Sequence, residues 1–569
     1  MAAEAAVNTA WRWHLGVILV CGLAIGVVYG PAVRYPYVWT DHAEIEGGGL
    51  VPKTFDQVLR FMTEVKGRAV AIAREDAVAS RTGGGYFRPA KALSYGLDWR
   101  LGGGRPAAFH LTNILIHLLF CVALYFLAHR LYGPEGRFLA ALVALWHALA
   151  PQHVEVVCWI SARSDSLWGL FGLLALLCAV RAADSRHPVA LRALAVALAA
   201  LAVFSKESGV VAAAWPFLFF WLVGRDDRSR LRRAWTAGAW TLLGAVLAAG
   251  YRLLFVGGVG SAPTPAGAGA WTRLQIFGQN VFESFFPSGL RLADTVEISP
   301  VPSLLALAGW GLALFWIVMA VRQRRDGKAL FLFLAFLLAL LPVSQIWPLL
   351  QPRGERYLYV PAAFAELAAG LAIASLAGLV RARALQMALG ISALASLLAL
   401  GLYSGSRAEA WSDEVRLFSR AVEDEPNCAE CWNNLAYARA IAGAYEEAER
   451  ACRAALEIDR RRYWTHLDGF SVRWILSQLL LLRGEGAEAA FWLAQIDVRV
   501  DGGPSLFAAL ARARLLSGEA ELALQAAERG LARYPDNAPL RGLRTEAEAL
   551  MIASGHDWMD SRPQCRPAR

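Results

Sequence analysis

Long apolar runs, broken at intervals by short polar turns, dominate the sequence up to residue 403. A helix needs ~20 apolar residues to cross a bilayer core, because its backbone groups must be satisfied inside the segment. Eleven runs meet or approach that measure: residues 15–34, 109–128, 138–157, 165–181, 188–204, 209–224, 234–256, 303–321, 329–347, 359–380 and 384–403. Beyond them the pattern turns charged, Ala-rich and amphipathic with helical period. The expected fold class is all-α: a polytopic membrane helical bundle over 1–405 with outer loops at 35–108 and 258–302, a soluble helical-repeat domain over 406–560, and a disordered tail at 561–569.

Composition agrees. Apolar residues make up 57 % and charged residues 18 % of the chain, against ~45–50 % and ~25 % in soluble proteins. An ordinary soluble enzyme and a disordered chain are both excluded. The net charge of +9 suggests nucleic acid until the basic residues are placed. They gather as Arg130 and Arg137; Arg181, Arg186 and Arg192; Arg225 to Arg233; Arg322 to Lys328; and Arg381 with Arg383. These are five hairpins separated by two spans each, which the positive-inside rule reads as cytoplasmic. The N-terminus is then cytoplasmic and the repeat domain lies on the outer face. The first span resembles a signal peptide only in its apolar run, since no small-residue cleavage site follows it.

Ionisable residues recur on the outer face near membrane depth, where they are costly and usually line a polar path. Asp41 lies just past the first span in Tyr35–Glu46, with His42 and Glu44 beside it. The second outer segment, Pro151–Asp165, carries His153, Glu155, Arg163 and Asp165, for which a local Arg163–Asp165 pair is one reading. Lys206 and Glu207 interrupt an apolar stretch and are suited to neutralise each other. Arg353 and Arg356 flank Gly354 in a Pro-bounded segment, and arginine forks suit phosphate as well as head-group anchoring. His-x-Glu alone is short of a metal-ligand set, and neither GxGxxG nor GxxxxGK[ST] is present.

In the tail, Trp432–Asp459 and Leu506–Asn537 match a 34-residue tetratricopeptide pattern. Gly484 lies 34 residues before Gly518 and 41 after Gly443, so a degenerate middle repeat with a seven-residue insertion fits between them. Of eight cysteines, Cys428, Cys431 and Cys452 lie in this tail, where an oxidising compartment permits a disulfide among the three.

Seven motifs in order, VWTDHAEI, YFRPAKALSYGLDW, FHLTNILIHLL, HVEVVCWISARSDSL, FSKES, FFPSGLRLAD and ERYLYVP, fall on the outer face or its rim. Their series resembles the transmembrane and tetratricopeptide-repeat-containing glycosyltransferases of the GT-C superfamily, relatives of the protein O-mannosyltransferases. The resemblance runs from about Tyr35 to about Trp464. Two departures stand out. Thr40 precedes Asp41 where members often have paired acids, and Ala150-Pro151 stands where they often have His-Pro, with His147 displaced.

The resemblance implies a GT-C enzyme that moves a sugar, mannose or another hexose, from a polyprenyl-phosphate to a hydroxyl acceptor on the outer face, protein Ser/Thr first among candidates. Asp41 is then the base that takes the hydroxyl proton, in a single inverting displacement. Lys206, Arg353, Arg356 and Arg88 are the candidates to hold the donor phosphate. Glu155, His153, Asp165, Glu44 and Asp294 are the candidates to orient sugar or acceptor. The single acid at Asp41 points toward metal-independent chemistry, with the lipid-linked sugar as co-substrate; some members of the superfamily use a divalent metal and others do not. The repeat tail is read as a binding surface for a protein or peptide acceptor. The Arg-rich, Ala-rich composition suits a GC-rich bacterium, which places the chain in the inner membrane with a periplasmic tail. A lipid-linked-sugar flippase and a membrane-anchored repeat scaffold are the competing classes. The first expects internal repeats of spans, and the second has no use for outer-face acids.

Overall fold

The computed structural model describes residues 2–47, 50–54, 56–58, 87–223, 229–256, 268–292, 295–349, 351–377, 383–458, 462–465, 469–496 and 503–553. Two compact units emerge: Met1–Pro426 with Arg460–Thr465, and Asn427–Asp459 with His466–Arg569. The expected boundary at 405 falls inside a continuous helix, Arg383–Glu409, which is followed by Glu414–Asp424 in the same unit. The tail at 561–569 lies outside the described residues.

The first unit is helical throughout. In chain order its helices are α1 (Ala2–Tyr29), α2 (Pro89–Gly102), α3 (Pro106–Tyr132), α4 (Arg137–Leu149), α5 (Val154–Cys158), α6 (Arg163–Ala182), α7 (Pro188–Ser205), α8 (Trp215–Leu222), α9 (Arg230–Val256), α10 (Ala270–Phe285), α11 (Leu304–Arg322), α12 (Lys328–Leu340), α13 (Tyr359–Ala377), α14 (Arg383–Glu409) and α15 (Glu414–Asp424). Local chemistry sets several ends. Pro106 and Pro188 open α3 and α7 at the first turn, where a missing N–H is harmless. Gly133 stops α3 with a positive φ of 80°.

Among the described residues eight helices are long and apolar enough to cross a membrane. Each of the eleven expected runs has a helix, but three are not straight spans. Pro134–Leu149 and Pro151–Cys158 bend by 53° at their break, and Glu207–Leu222 and Lys328–Val343 are short. The bend falls at Pro151, which cannot continue the helix ladder, and Glu207–Leu222 begins where Lys206 and Glu207 interrupt the apolar run. Exposed apolar stripes mark the lipid face. On α14, Met387, Ile391, Leu394, Leu398 and Leu402 all point outward, a patch no soluble monomer would leave bare. The chain is a multi-pass membrane protein. Its interior is packed by Phe120, Leu124, Leu173, Trp215, Phe331, Phe336 and Phe364, all buried.

Past α10 a short strand, Val296–Glu297, pairs antiparallel with Tyr463–Trp464, and Glu297 binds Arg462 at 2.8 Å. Glu297, three residues past the candidate Asp294, is thereby held by Arg462. Asp294 lies outside the described residues.

The second unit is a run of helix pairs: Ala429–Ile441 with Tyr445–Glu457, Gly469–Leu482 with Gly486–Ala494, Pro504–Leu516 with Ala520–Arg533, and then Ala538–Ala553. Each pair turns at a glycine in the left-handed region, Gly443, Gly484 and Gly518, with φ of 79°, 78° and 77°. Cys428 and Cys431 form a disulfide, which leaves Cys452 as a buried free thiol.

Candidate active site

Asp41 follows the first span at a tight turn. Trp39 takes a left-handed φ of 56°, unusual for a bulky residue and a source of local strain. The twist lets the Trp39 indole stack on Trp159 at 4.5 Å and 13°. It also directs the Trp39 N–H to Glu414 at 2.6 Å. His42 contacts Glu414 and Glu46, and Glu414 above all pushes its pKa up to about 9.

The Asp41 carboxylate is fully buried. Its Oδ1 accepts from the Ser161 N–H at 2.8 Å and the Ser161 hydroxyl at 2.5 Å. Among the described residues, Oδ2 has one long contact, from the Val38 N–H at 3.4 Å. Burial pushes the Asp41 pKa up to about 7, helped by nearby Glu44 and opposed by Ser161. Among the described residues, one oxygen is thus held by two close donors and the other by one long contact.

Ser161 begins a five-residue crossing point that ends at Asp165. Its carbonyl accepts from Lys91 Nζ at 2.7 Å, and Lys91 pairs with Glu44 at 2.7 Å. Arg163 does not reach Asp165. It is fully buried and pairs with Asp98 at 2.5 Å, with Asn113 and the Phe109 carbonyl taking its other donors. Ser164 Oγ accepts from Arg88 at 3.3 Å, and Asp165 binds Lys206 Nζ at 2.6 Å. Lys206 therefore neutralises Asp165 rather than its neighbour Glu207, which instead holds Arg88 at 3.2 Å and Arg252 at 3.0 Å. Two residues past the bend, Glu155 grips Arg356 through both the guanidinium and the main-chain N–H, the latter at 2.7 Å. The Arg356 guanidinium lies over Trp159 and Tyr357, 5.4 and 4.9 Å from the ring centroids, and Lys206 lies 5.4 Å from the same Tyr357 ring.

Asp41, Glu44, Asp165, Arg88, Lys206, Glu155 and Arg356 are thus linked through the 159–165 segment and Tyr357. Two candidates sit elsewhere. Arg353 is bound to Glu283 and, at 3.1 Å, to Asn280 on α10, beside a cavity lined by Arg291, Glu297 and Ser299. His153 packs against His147 and Glu366 in the bundle interior. Sequence reasoning passed over Ser161, Lys91 and Arg252. Ser161 stands in the quoted SARSD element, but a neutral serine there carries no cost that would flag it.

Against this geometry, residues 95–251 match the family model for dolichyl-phosphate-mannose-protein mannosyltransferases. Curated relatives include the protein O-mannosyl-transferase Tmtc2 of Drosophila melanogaster, 32 % identical over 34 % of this chain and 22 % of its own length. The human protein O-mannosyl-transferase TMTC4 is 30 % identical over 23 % of this chain and 20 % of its own length. The matches span about a fifth of those relatives. Among solved structures, the oligosaccharyltransferase AglB of Archaeoglobus fulgidus aligns at a TM-score of 0.41 and 13 % identity, over 70 % of this chain and 56 % of that one. ArnT of Cupriavidus metallidurans aligns at 0.37 and 16 %, over 86 % and 81 %. The matched segment holds Glu155, Asp165 and Lys206 but ends short of Arg356 and begins past Asp41.

Proposed function

From this kinship with the TMTC protein O-mannosyl-transferases, we propose that the chain is a glycosyltransferase that moves a hexose such as mannose from a polyprenyl-phosphate to a hydroxyl, that of protein Ser/Thr in the first instance. The acceptor oxygen attacks the anomeric carbon from the face opposite the phosphate. The bond from that carbon to the phosphate oxygen breaks as the new glycosidic bond forms, with inversion. The hydroxyl proton passes to Asp41 Oδ2, and the polyprenyl-phosphate leaves as a stable anion that needs no separate acid. Arg88, Lys206 and Arg356 hold that anion as preorganised cations in a water-poor site. Asp165, Glu207 and Glu155 fix those cations, and Glu44 with Lys91 braces the Asp41 turn. Arg353, held by Glu283 and Asn280 beside the cavity that Glu297 lines, is assigned to the acceptor side, and Asp294 is assigned there from its place in the sequence. Transfer occurs on the outer, periplasmic face of the inner membrane, and the helix pairs of the second unit are tetratricopeptide repeats that present the protein acceptor.

The observation that carries this reading is one segment. Residues 161–165 bind the buried Asp41 through Ser161 and two cations through Ser164 and Asp165. These contacts support reading Asp41 as a base held beside an anion site by one short segment. The test is transfer of a radiolabelled hexose from a short polyprenyl-phosphate to a Ser/Thr peptide by purified protein. Asp41→Asn should lower turnover by about 10²–10⁴-fold. Unaltered turnover removes Asp41 as base, and lipid translocation without transfer by the unaltered chain would favour the flippase.

A further inference from the structure

His147 ends α4, His153 lies at the bend that follows, and Glu366 projects from α13; all three are fully buried. The His147 and His153 rings sit 4.0 Å apart. His147 Nδ1 is 2.8 Å from Glu366 Oε2, and His153 Nε2 is 3.5 Å from Glu366 Oε1. One ligand atom from each residue falls within 4.8 Å of the others. Around a tetrahedral zinc with bonds of ~2.0–2.1 Å, neighbouring ligand atoms lie ~3.3 Å apart, and each histidine lies near that distance from one of the two Glu366 oxygens.

The surroundings make the cluster hard to explain as a plain hydrogen-bond network. Among the described residues, both nitrogens of His153, Nε2 of His147 and Oε1 of Glu366 find no hydrogen-bond partner. Among the described residues, the ion-pair partners of Glu366 are these two histidines, and no lysine or arginine pairs with it. A buried carboxylate without a cation is costly in a membrane bundle. Aromatic rings close the site: Phe120 stacks on His147 at 4.7 Å, and Tyr359 stands edge-on to His147 and His153 at 5.1 and 5.0 Å. The Tyr359 hydroxyl is held by His117 Nδ1 at 2.9 Å.

We propose that His147, His153 and Glu366 form a binding site for a zinc-class divalent transition metal, with three protein ligands and a fourth position for water. The imidazole and carboxylate set suits zinc over calcium or magnesium, which prefer oxygen. The ion supplies the positive charge that Glu366 lacks and ties the bend at Pro151–His153 to α13. Glu155 follows that bend by two residues and Arg356 precedes α13 by three, so the metal underlies the Glu155–Arg356 pair. It is a positioning site that touches no reacting atom, and it stands apart from the assignment of Asp41.

The full chain, purified in detergent after removal of any polyhistidine tag, should carry about one zinc per chain by elemental mass spectrometry. After chelation, added Co²⁺ should give the intense visible bands of tetrahedral coordination, and Zn²⁺ should bleach them. His153→Ala and Glu366→Gln should each lose the metal and the Co²⁺ spectrum. If neither variant folds, the Co²⁺ spectrum of the unaltered chain decides alone. A chain that holds no zinc and gives no Co²⁺ bands overturns the proposal. So does a metal content unchanged by His153→Ala in a folded variant.

Discussion

Asp41 is where folding and chemistry oppose each other. Its pKa of about 7 lies well above the ordinary carboxylate value because burial penalises the charge. A general base must be ionised, so kcat/KM should rise with pH to a plateau above about 7. Ser161 donates twice to the charged form and so lowers that pKa. Ser161→Ala removes the hydroxyl donor, and the acidic limb of the profile should move to higher pH; a limb that stays in place means Asp41 is not the titrating group. The same shift acts on stability with a definite sign. A carboxyl with a raised folded-state pKa binds its proton more tightly when folded. Its stabilising contribution is full below the unfolded value near ~4 and is lost as pH rises to about 7. Asp41→Asn, inactive, should therefore raise the melting temperature more at pH 8 than at pH 4, readable by thermal-shift fluorescence. The cost of ionisable residues at membrane depth singled out Asp41, Asp165, Lys206 and Arg356 as candidates, and the resemblance supplied the roles expected of them. Their pairing was not legible. Lys206 ignores adjacent Glu207 for Asp165, and Arg163 ignores nearby Asp165 for Asp98, because helix direction and not sequence distance sets which side chains meet.

At the scale of elements, the span α11 meets α10, a helix of the 258–302 segment, through small residues. A Cβ on Gly309 of α11 would run into the main-chain carbonyl of Gly278 on α10, and one on Gly278 would meet the Ala306 carbonyl. Such close approach lets two helix backbones pack with no side chain between them. Gly309→Leu should part α10 from α11 and lower the detergent melting temperature, while Gly311→Leu, with open space at its Cβ, should leave it near the unaltered value. Equal effects would mean that the pair is not closely packed. The hairpin glycines show a different kind of legibility. The spacing of Gly443, Gly484 and Gly518 was readable as a repeat, and each marks a left-handed turn between paired helices. The insertion that stretches the first spacing was readable only as a length. That it contributes a strand, Tyr463–Trp464, to the first unit depends on a partner more than 160 residues earlier in the chain, beyond any local pattern.

For the whole molecule, the orientation of everything past α11 turns on whether its short helix crosses. α12 has 13 residues, which at ~1.5 Å per residue reach ~20 Å. The tight turn Leu341–Val343 adds ~6 Å at ~2 Å per residue, close to the ~30 Å core if the bilayer thins locally. Charge supplies the independent constraint. The hairpin at Arg322–Lys328 and that at Arg381–Arg383 are both basic, and they share a side only if the two helices between them, α12 and α13, both cross. A third crossing by α14 then carries residue 427 to the opposite face. A fluorescent reporter that folds only in the cytoplasm, fused after Gly327, should light up, and the same reporter after Asn427 should stay dark. An exported phosphatase should give the reverse pattern. If α12 only dips into the membrane and returns, an even number of crossings separates the two fusion points, and both reporters will read the same side. That outcome would remove the second unit from the face that holds Asp41, and with it the proposal that the helix pairs present the acceptor.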